Sequence, residues 1–506
     1  MPRFFLTASA LALMSSPVLA DLTAEQVWDD WQAYAAASGY DITASVTESG
    51  SGLTLSDIEL AIDLGEGGAM DIDYGDYEVV MRDQNDGSVA IALSESNTMT
   101  FDIDDPEEGP ITVKLDIAQT TPTMTATGDP SAVTYEYAAE QLKLTLAGIE
   151  TGGVILTDAV ARFTADVTNF AYTTSSTTAD MRRLQQDMSM DNVTYDLAFN
   201  APDSDEAFAL KGEMNGMRLV GSGDLPVTSG DRDINALLSD GLKVDGTFQT
   251  VGGAYTASFN GPDGGGTFNT TSSGGAEFRI AIDSAGLIYD VVQRALTVNA
   301  LVTDVPIPLS FSVEEARTAL QIPVQKSDTP QDIAMQVKLG GFKMSDMLWG
   351  MFDAGGQLPR DAANINLDLS GKAKLLFDYL DPAQAAVLEQ ADAAPGELNA
   401  LTLNAVEVDM VGAKLTGSGD FTFDNSDLTT FDGMPRPQGA VDLKLVGGNG
   451  LLDKLVTMGF VPQEQAMGAR MMMGLFAVPG EGEDTLNSRI EINAEGQVLA
   501  NGQRLR

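Results

Sequence analysis

Carboxylates and thioethers are the side chains of this sequence whose types and spacing could do chemistry. The chain has 74 Asp and Glu residues and 22 Met residues, but it has no His and no Cys. Without imidazole or thiol groups it cannot carry a Ser-His-Asp or Cys-His catalytic site, a zinc site of the usual nitrogen and sulfur ligands, or a disulfide. What remains is acid–base chemistry by paired carboxylates and ion binding by oxygen or thioether sulfur.

The densest run of carboxylates could bind calcium. Asp102, Asp104, Asp105, Glu107 and Glu108 precede a glycine and supply enough oxygen ligands for this ion. Their spacing does not match an EF-hand loop. We therefore interpret the run as a solvated turn, keep calcium as the alternative, and assign no cofactor.

A methionine cluster near the C-terminus could bind Cu(I). Met467 and the run Met471-Met472-Met473 offer the soft thioether ligands that this ion prefers. The same residues have helical spacing, which is typical of a helix face buried in an apolar core. We predict core packing for them and assign no metal-binding residue.

Known catalytic motifs give no further candidates. The phosphate-binding and nucleophile motifs G-x-x-x-x-G-K, G-x-G-x-x-G, G-x-S-x-G and S-x-x-K are absent. A glycosidase needs only two carboxyl groups at a defined separation, so a carboxylate-dependent glycan hydrolase stays open as an alternative. With 74 acids the sequence cannot nominate a pair, and no catalytic residue is assigned.

The elements that must position these side chains are mostly β-strands. Apolar and polar residues alternate with a period of two, as expected for strands with one apolar and one solvated face. No helical stretches separate these strands, which favours antiparallel meanders over βαβ units. Most acids fall on the polar phase and so belong to a solvated sheet face. The clearest strands are 89–93, 99–103, 111–117, 133–137 and 142–146, and the charged residues on the polar phase include Asp71, Asp73, Asp102, Lys114, Asp116 and Glu136.

Two strands change phase partway. Leu53 and Leu55 are followed by Ile58, and 70–74 is followed by 77–81, so each pattern contains a three-residue step. Such a step predicts a β-bulge or a sharp bend, the second one helped by Gly75.

A few short helices are expected among the strands. Thr23 and Gln26 form a capping box that begins a helix over 23–38, whose aromatic face should dock on a sheet. Ser345 is a candidate cap for a helix over 344–352, and a helical pair broken by Pro462 is predicted at 449–477. The Gly-, Thr- and Ser-rich stretch 252–275 suits tight hairpins or a flexible loop.

A short sequence repeat occurs once in each half of the chain. Residues 216–224 and 412–420 agree at six of nine positions, Gly-Met-Arg-Leu-Val-Gly-Ser-Gly-Asp against Gly-Ala-Lys-Leu-Thr-Gly-Ser-Gly-Asp. A duplicated unit would explain this agreement. The alternative is that a glycine-rich strand end was used twice, because Gly-Ser-Gly-Asp is also ordinary turn chemistry.

The overall prediction is a mainly β (α+β) protein, an elongated, twisted antiparallel sheet with a few short capping helices. Its segments are a signal peptide at 1–20, an N-terminal helix at 21–40, an antiparallel β region at 41–225, and a β region with short helices at 226–506. The first segment has Arg3, an apolar stretch over 4–14 and a small-residue site ending at Ala20, which predicts secretion to the periplasm. No later segment is apolar enough to span a bilayer, so no transmembrane segment is expected after cleavage.

Charge narrows the partners. The formal net charge is -46, although charged residues make up only 20% of the chain, so the skew is a shortage of Lys and Arg. Phosphate binding needs Lys and Arg clustered on one face, so we expect no nucleic-acid partner.

Several C-terminal segments resemble a known family. They are 421–437 (Phe-Thr-Phe-Asp-Asn-Ser-Asp-Leu-Thr-Thr-Phe-Asp-Gly-Met-Pro-Arg-Pro), 449–453, 465–473 and 500–504, together with 24–28, 348–353 and 358–361. These are similar to the long alphaproteobacterial members of the domain-of-unknown-function 2125 family, which implies a periplasmic protein and brings no activity or site residue. Turns of the form Leu-x-Gly-Ser-Gly-Asp between strands also resemble those of AsmA-like envelope proteins, whose long twisted sheets form an apolar groove for lipid.

Three functions follow as hypotheses. The first is a non-enzymatic periplasmic protein that binds an envelope component, such as a lipid, on the concave apolar face of its sheet. The second is the carboxylate-dependent glycan hydrolase, and the third is a calcium-dependent structural or adhesion module. Whether the apolar faces close on each other or stay open as a groove decides for or against the first.

Overall fold

The computed structural model describes residues 22–65, 68–105, 109–202, 204–227, 233–303, 305, 307–381, 384 and 396–505. The predicted signal peptide lies outside these ranges. Strands make up 65% of the chain, and the described residues form one large antiparallel sheet and five short helices, which confirms the mainly β prediction. None of the described helices is long and apolar enough to cross a membrane.

The five described helices are α1 (Ala24–Ala37), α2 (Ile234–Ser239), α3 (Asp346–Phe352), α4 (Gly448–Thr457) and α5 (Gln463–Phe476). The strands of the first half are β1 (Tyr40–Glu48), β2 (Gly52–Gly65), β3 (Gly68–Asp73), β4 (Val79–Asp83), β5 (Val89–Leu93), β6 (Ser96–Asp105), β7 (Gly109–Thr120), β8 (Thr123–Asp129), β9 (Ala132–Thr151), β10 (Val154–Leu156), β11 (Ala161–Thr178), β12 (Met181–Asn200), β13 (Ala207–Pro226) and β14 (Lys243–Thr250). Those of the second half are β15 (Gly252–Gly261), β16 (Gly264–Ser272), β17 (Ala276–Asp283), β18 (Gly286–Val302), β19 (Leu309–Ile322), β20 (Gln331–Met344), β21 (Ala363–Leu375), β22 (Gly396–Met410), β23 (Ala413–Asp424), β24 (Arg436–Val446), β25 (Val478–Pro479), β26 (Thr485–Ile492), β27 (Val498–Ala500) and β28 (Gln503–Arg504).

The sheet is a meander in which some long strands each pair with two shorter ones. Strand β2 pairs with β3 and β4, β9 with β7 and β8, β13 with β14 and β15, and β18 with β16 and β17. From β18 to β24 each strand pairs with the next one along the chain. All of these pairings are antiparallel, as the period-two pattern without intervening helices predicts.

One face of this sheet is apolar, and we call it the apolar face. Cross-strand neighbours on it are apolar in row after row; Met335 lies opposite Leu369, which lies opposite Leu403. The other face carries cross-strand ion pairs and the exposed acids that were assigned to the polar phase. The ion pairs on this polar face include Arg162–Asp196, Arg218–Asp187, Arg279–Asp245, Arg317–Asp290, Lys338–Glu315, Lys372–Asp332 and Arg489–Asp442.

The apolar face is largely uncovered. Two clusters of buried residues stand out, one beneath α1 and one beside α2 around Leu238, Leu242 and Val324. Side chains that point to the apolar face and stay more than a third exposed include Val244, Phe259, Ile280, Tyr289 and Val337. Among the described residues the sheet is therefore open, with an apolar surface that the five described helices do not bury.

Helix α1 follows the sequence prediction closely. The Thr23 hydroxyl accepts a hydrogen bond from the Gln26 backbone, and the Gln26 side chain accepts one from the Thr23 backbone, which is the expected capping box. Val27 and Trp28 are buried against Leu55 and Met81 in the larger cluster. The aromatic face of the helix thus docks on the sheet, as its spacing indicates.

Both predicted phase changes lie at one corner of the sheet. Asp57 has a left-handed backbone (φ 49°), and the register between β1 and β2 shifts beside it, so an extra residue is absorbed there. On the neighbouring ribbon β3 ends, the chain turns through Gly75, and β4 begins. Leu55 and Ile58 are therefore both buried, although three residues separate them.

Gly75 provides a direct test of this corner. Its φ is +60°, and a Cβ added there would lie 2.8 Å from the Thr98 carbonyl oxygen. We expect Gly75→Ala to lower the free energy of unfolding by about 1–3 kcal/mol in urea denaturation. Gly50 is the matched control, with φ +62° and nothing within 4 Å of an added Cβ, and its alanine variant should lose only about 1 kcal/mol. Equal losses at the two sites would contradict the contact with Thr98.

Two glycine-rich segments also fold as strands. The stretch 252–275 forms the hairpin of β15 and β16, one of the two predicted possibilities. Both copies of Gly-Ser-Gly-Asp lie inside strands, β13 and β23, so the prediction that this motif forms a turn between strands is wrong. In the second copy a Cβ at Gly417 would lie 2.4 Å from the Leu443 side chain, so that glycine is needed for close packing.

Candidate functional site

A cavity of about 390 Å³ lies between α1 and the apolar face, and we call it the aromatic pocket. Helix α1 forms its roof, and strands β9, β11 and β12 form its floor. Tyr34 and Tyr40 stand where it opens, and each is about 40% exposed. The volume is within the roughly 300–1,000 Å³ typical of small-molecule sites. Residues that line the pocket include Asp30, Trp31, Tyr34, Tyr40, Ile42, Leu60, Met124, Tyr135, Tyr172, Ser176, Arg182 and Leu184.

The docking of α1 positions the roof of the pocket. Val27 and Trp28 anchor the helix in the core, and Trp31 packs partly buried beside them. Asp30, Trp31 and Tyr34 follow within one further turn, so they face the sheet at the edge of that core. The same apolar periodicity that buries α1 thus places one carboxylate over the apolar face.

A buried ion pair crosses the pocket from roof to floor. The Arg182 guanidinium donates a hydrogen bond from Nη2 to Oδ1 of Asp30 at 2.6 Å, and their side chains are only 6% and 12% exposed. The Tyr135 hydroxyl donates to Oδ2 of the same carboxylate at 2.7 Å. Both carboxylate oxygens of Asp30 are therefore occupied.

Sequence reasoning missed Arg182, although a signal was present. In β12, Arg182 shares the phase of Leu184 and Met188, so an arginine stands in an apolar row. The adjacent Arg183 points to the polar face and lies 3.5 Å from Asp224. A charge in the apolar phase of a strand is costly to bury without a partner, so an arginine at this position indicates a site.

Two tyrosines of the pocket have raised pKa values. Burial, and next the neighbouring Asp30 carboxylate, raise the pKa of Tyr135. Burial also raises the pKa of Tyr172. Arg182 lies 5.0 Å above the ring centroid of Tyr34, within the range of a cation–π interaction.

Two polar atoms in the pocket have no hydrogen-bond partner. These are Nε of Arg182 and Oγ of Ser176, and each exposes less than 1 Å² of surface. Arg182 and Ser176 are both at least 95% buried. Such groups cost free energy in the free protein, and a ligand that supplied a hydrogen-bond partner would recover part of that cost.

Next to the pocket the apolar face has several glycines. Gly221 and Gly223 of β13 lie opposite Gln186 and Leu184, and Gly246 of β14 lies opposite Gly221. A Cβ at Gly246 would meet nothing within 4 Å. The apolar face therefore carries no side chain at these three positions beside the pocket.

The predicted calcium run lies at the hairpin between β6 and β7. Asp102 accepts a hydrogen bond from the Thr112 hydroxyl and is exposed on the polar face, as is Asp104. Glu107 and Glu108 lie outside the described residues. Within the described ranges, no group of three acidic residues is placed to hold a metal ion.

The predicted burial of the C-terminal methionines is wrong. Met467, Met471 and Met472 are 60%, 71% and 54% exposed on α5, although the helix and its break at Pro462 form as expected. On α3, Met347 and Met351 are likewise exposed, while Ser345 caps the helix as predicted. Helical spacing identified a shared face in both cases, but nothing described packs on that face.

This exposure predicts an order of oxidation. Under mild hydrogen peroxide, Met471, Met351 and Met434 should become sulfoxides well before Met81, because they are 71%, 65% and 63% exposed and Met81 is 0% exposed. Peptide mass mapping over a time course measures the order. Oxidation of Met81 at the same rate as Met471 would contradict the packing of the larger core cluster.

The segments that resemble a known family stabilise loops and helix ends. Asp353 is buried and accepts hydrogen bonds from Nε1 of Trp349 and from the backbones of Gln357 and Leu358. Arg436 pairs with Asp424 at 2.9 Å, and hydrogen bonds from Ser426 and Arg436 lower the pKa of Asp424 to about 2. These contacts give the segments a structural role, away from the pocket.

Comparison with known proteins gives one match. The model of a family described as "Uncharacterized protein conserved in bacteria (DUF2125)" matches residues 249–505, just over half of the chain. No curated protein and no solved structure matches. The aromatic pocket lies before the matched range.

Proposed function

The chain belongs to the DUF2125 family of bacterial proteins, and from this premise we propose that it is a non-enzymatic binding protein of the cell envelope. Its place is the periplasm of a Gram-negative bacterium, of the alphaproteobacterial kind. What it binds is an apolar envelope component, a lipid, held against the apolar face. By analogy it works in the manner of AsmA-like envelope proteins.

The observation that carries this proposal is the open apolar face. Large exposed apolar surfaces on soluble proteins mark interaction sites, because water contact with them is unfavourable. Here the surface runs in rows across many strands, and the opposite face is polar and paired by ions. A lipid chain matches this surface because an alkyl chain needs a long apolar contact and few polar partners.

The test is copurification. The full chain is produced in a Gram-negative host, isolated from the periplasm without detergent, extracted with organic solvent and examined by mass spectrometry. We expect lipid in near-stoichiometric amount. A lipid-free protein would overturn the proposal.

A matched pair of variants tests whether the lipid binds on the apolar face. Val337→Glu puts a carboxylate on that face at a residue that is 40% exposed. Gln336→Glu puts the same group on the polar face one residue away. We expect the first variant to lose most of its lipid and the second to keep it. Equal retention by the two variants would contradict binding on the apolar face.

A further inference from the structure

We infer that the aromatic pocket receives the neutral ester carbonyl of an acyl lipid, which accepts hydrogen bonds from Arg182 and Ser176 while its chain lies against Trp31 and the tyrosines. This inference rests on the proposed lipid binding and names the part of the ligand that the pocket selects. It is carried by two buried donors without partners, both on residues that line one pocket.

The donors need an acceptor. Arg182 donates one hydrogen bond, to Asp30, and its Nε has no partner. A guanidinium has five N–H donors and no acceptor, so further oxygen atoms are what it can bind. Ser176 is in the same phase of β11 that faces the pocket, opposite Leu184 of β12. A carbonyl oxygen has two lone pairs and can accept from both groups when they turn toward it.

The charge balance selects a neutral acceptor. Asp30 already compensates the charge of Arg182, and each carboxylate oxygen of Asp30 already accepts a hydrogen bond, one from Arg182 and one from Tyr135. An added carboxylate would leave one uncompensated negative charge in a desolvated cavity, which is costly. An ester carbonyl brings strong acceptor capacity and no net charge.

The lining suits an acyl chain beside that carbonyl. Trp31, Ile42, Leu60, Met124 and Leu184 supply apolar surface around the polar end. Gly221 and Gly246 carry no side chain, which leaves room for the acyl chain on the apolar face beside the pocket. Ligand sites of this kind combine a mostly apolar wall with a few polar groups that fix orientation.

The test compares three brominated probes of one chain length by quenching of tryptophan fluorescence. They are methyl 9,10-dibromostearate, 9,10-dibromostearic acid at pH 8, and 9,10-dibromooctadecane. Bromine quenches on contact, and Trp31 lines the pocket, so Trp31→Phe should remove most of the quenching. We expect the ester to bind about 10-fold or more tightly than the alkane, and the ionised acid to bind more weakly than the ester.

Ser176→Ala separates ligand recognition from folding. Its hydroxyl is buried without a partner in the free protein, so the variant should melt no lower than the parent. It should nevertheless bind the ester several-fold more weakly and the alkane unchanged. The control is Ser175→Ala, one residue away, whose hydroxyl meets Thr134 instead; its ester affinity should not change.

Asp30→Asn tests the charge balance. The amide keeps the size of the carboxylate but no longer neutralises Arg182, so the preference should move from the ester toward the ionised acid. An acid that binds best to the parent protein would overturn the choice of a neutral acceptor.

Equal affinity for all three probes, with no effect of Ser176→Ala, would overturn the inference while lipid copurification still supports the proposed function. If no probe binds and no lipid copurifies, the inference about the pocket and the proposed function are both wrong.

Discussion

Replacing Asp30 with alanine is expected to lower the free energy of unfolding by about 3–5 kcal/mol. The change leaves Arg182 with a buried charge, since the guanidinium is 6% exposed and Asp30 lies 2.6 Å from it. It also removes the acceptor of the Tyr135 hydroxyl. Urea denaturation followed by circular dichroism measures the loss.

Two further variants give this prediction its controls. Asp187 pairs with Arg218 at 2.5 Å on the polar face, where both side chains are more than 40% exposed, so Asp187→Ala should cost less than about 1 kcal/mol. The double change of Asp30 to alanine and Arg182 to methionine should recover part of the stability that Asp30→Ala loses, because it removes the unpaired charge. A loss below 1 kcal/mol for Asp30→Ala would show that water reaches Arg182.

The second large effect is expected at Trp28. This residue is 7% exposed in the main core cluster, and its ring meets Trp31 edge to face at 6.4 Å between centroids. Trp28→Ala should lower the free energy of unfolding by about 3–5 kcal/mol, because it leaves a cavity where α1 meets the sheet. Since α1 roofs the aromatic pocket, ester binding should fall as well.

The control for Trp28 keeps an aromatic ring. Trp28→Phe retains much of the buried apolar surface and should lose clearly less stability than the alanine variant, with ester binding preserved. Denaturation midpoints and the brominated-ester titration measure both properties on the same samples. If Trp28→Ala loses stability but binds the ester normally, α1 is not needed as the roof of the pocket.

Local patterns were enough to predict most of the elements. The period of two places side chains on opposite faces of a strand whatever its partners are, so it predicted the strands and the exposed acids. The capping box at Thr23 and Gln26 and the bulge at Asp57 are also set by neighbours in sequence. These features need no knowledge of distant contacts.

The aromatic pocket could not be predicted in the same way. Asp30 and Arg182 are 152 residues apart in sequence, and they meet only because α1 crosses the apolar face above β12. The methionines of α5 also show that local patterns do not predict what packs against a face. Their spacing predicted a shared face, but only the structure shows that this face is exposed.

Local patterns in the sequence are enough to show which side chains share a face and where the acids lie, and the lack of His and Cys excludes several kinds of chemistry. Only the packing of distant segments shows whether each apolar face is covered and which buried polar groups meet. The physical reason is that periodicity is a property of a single strand or helix, whereas burial depends on what packs against it. An open apolar face and one buried ion pair beneath a short helix are properties of the packing alone.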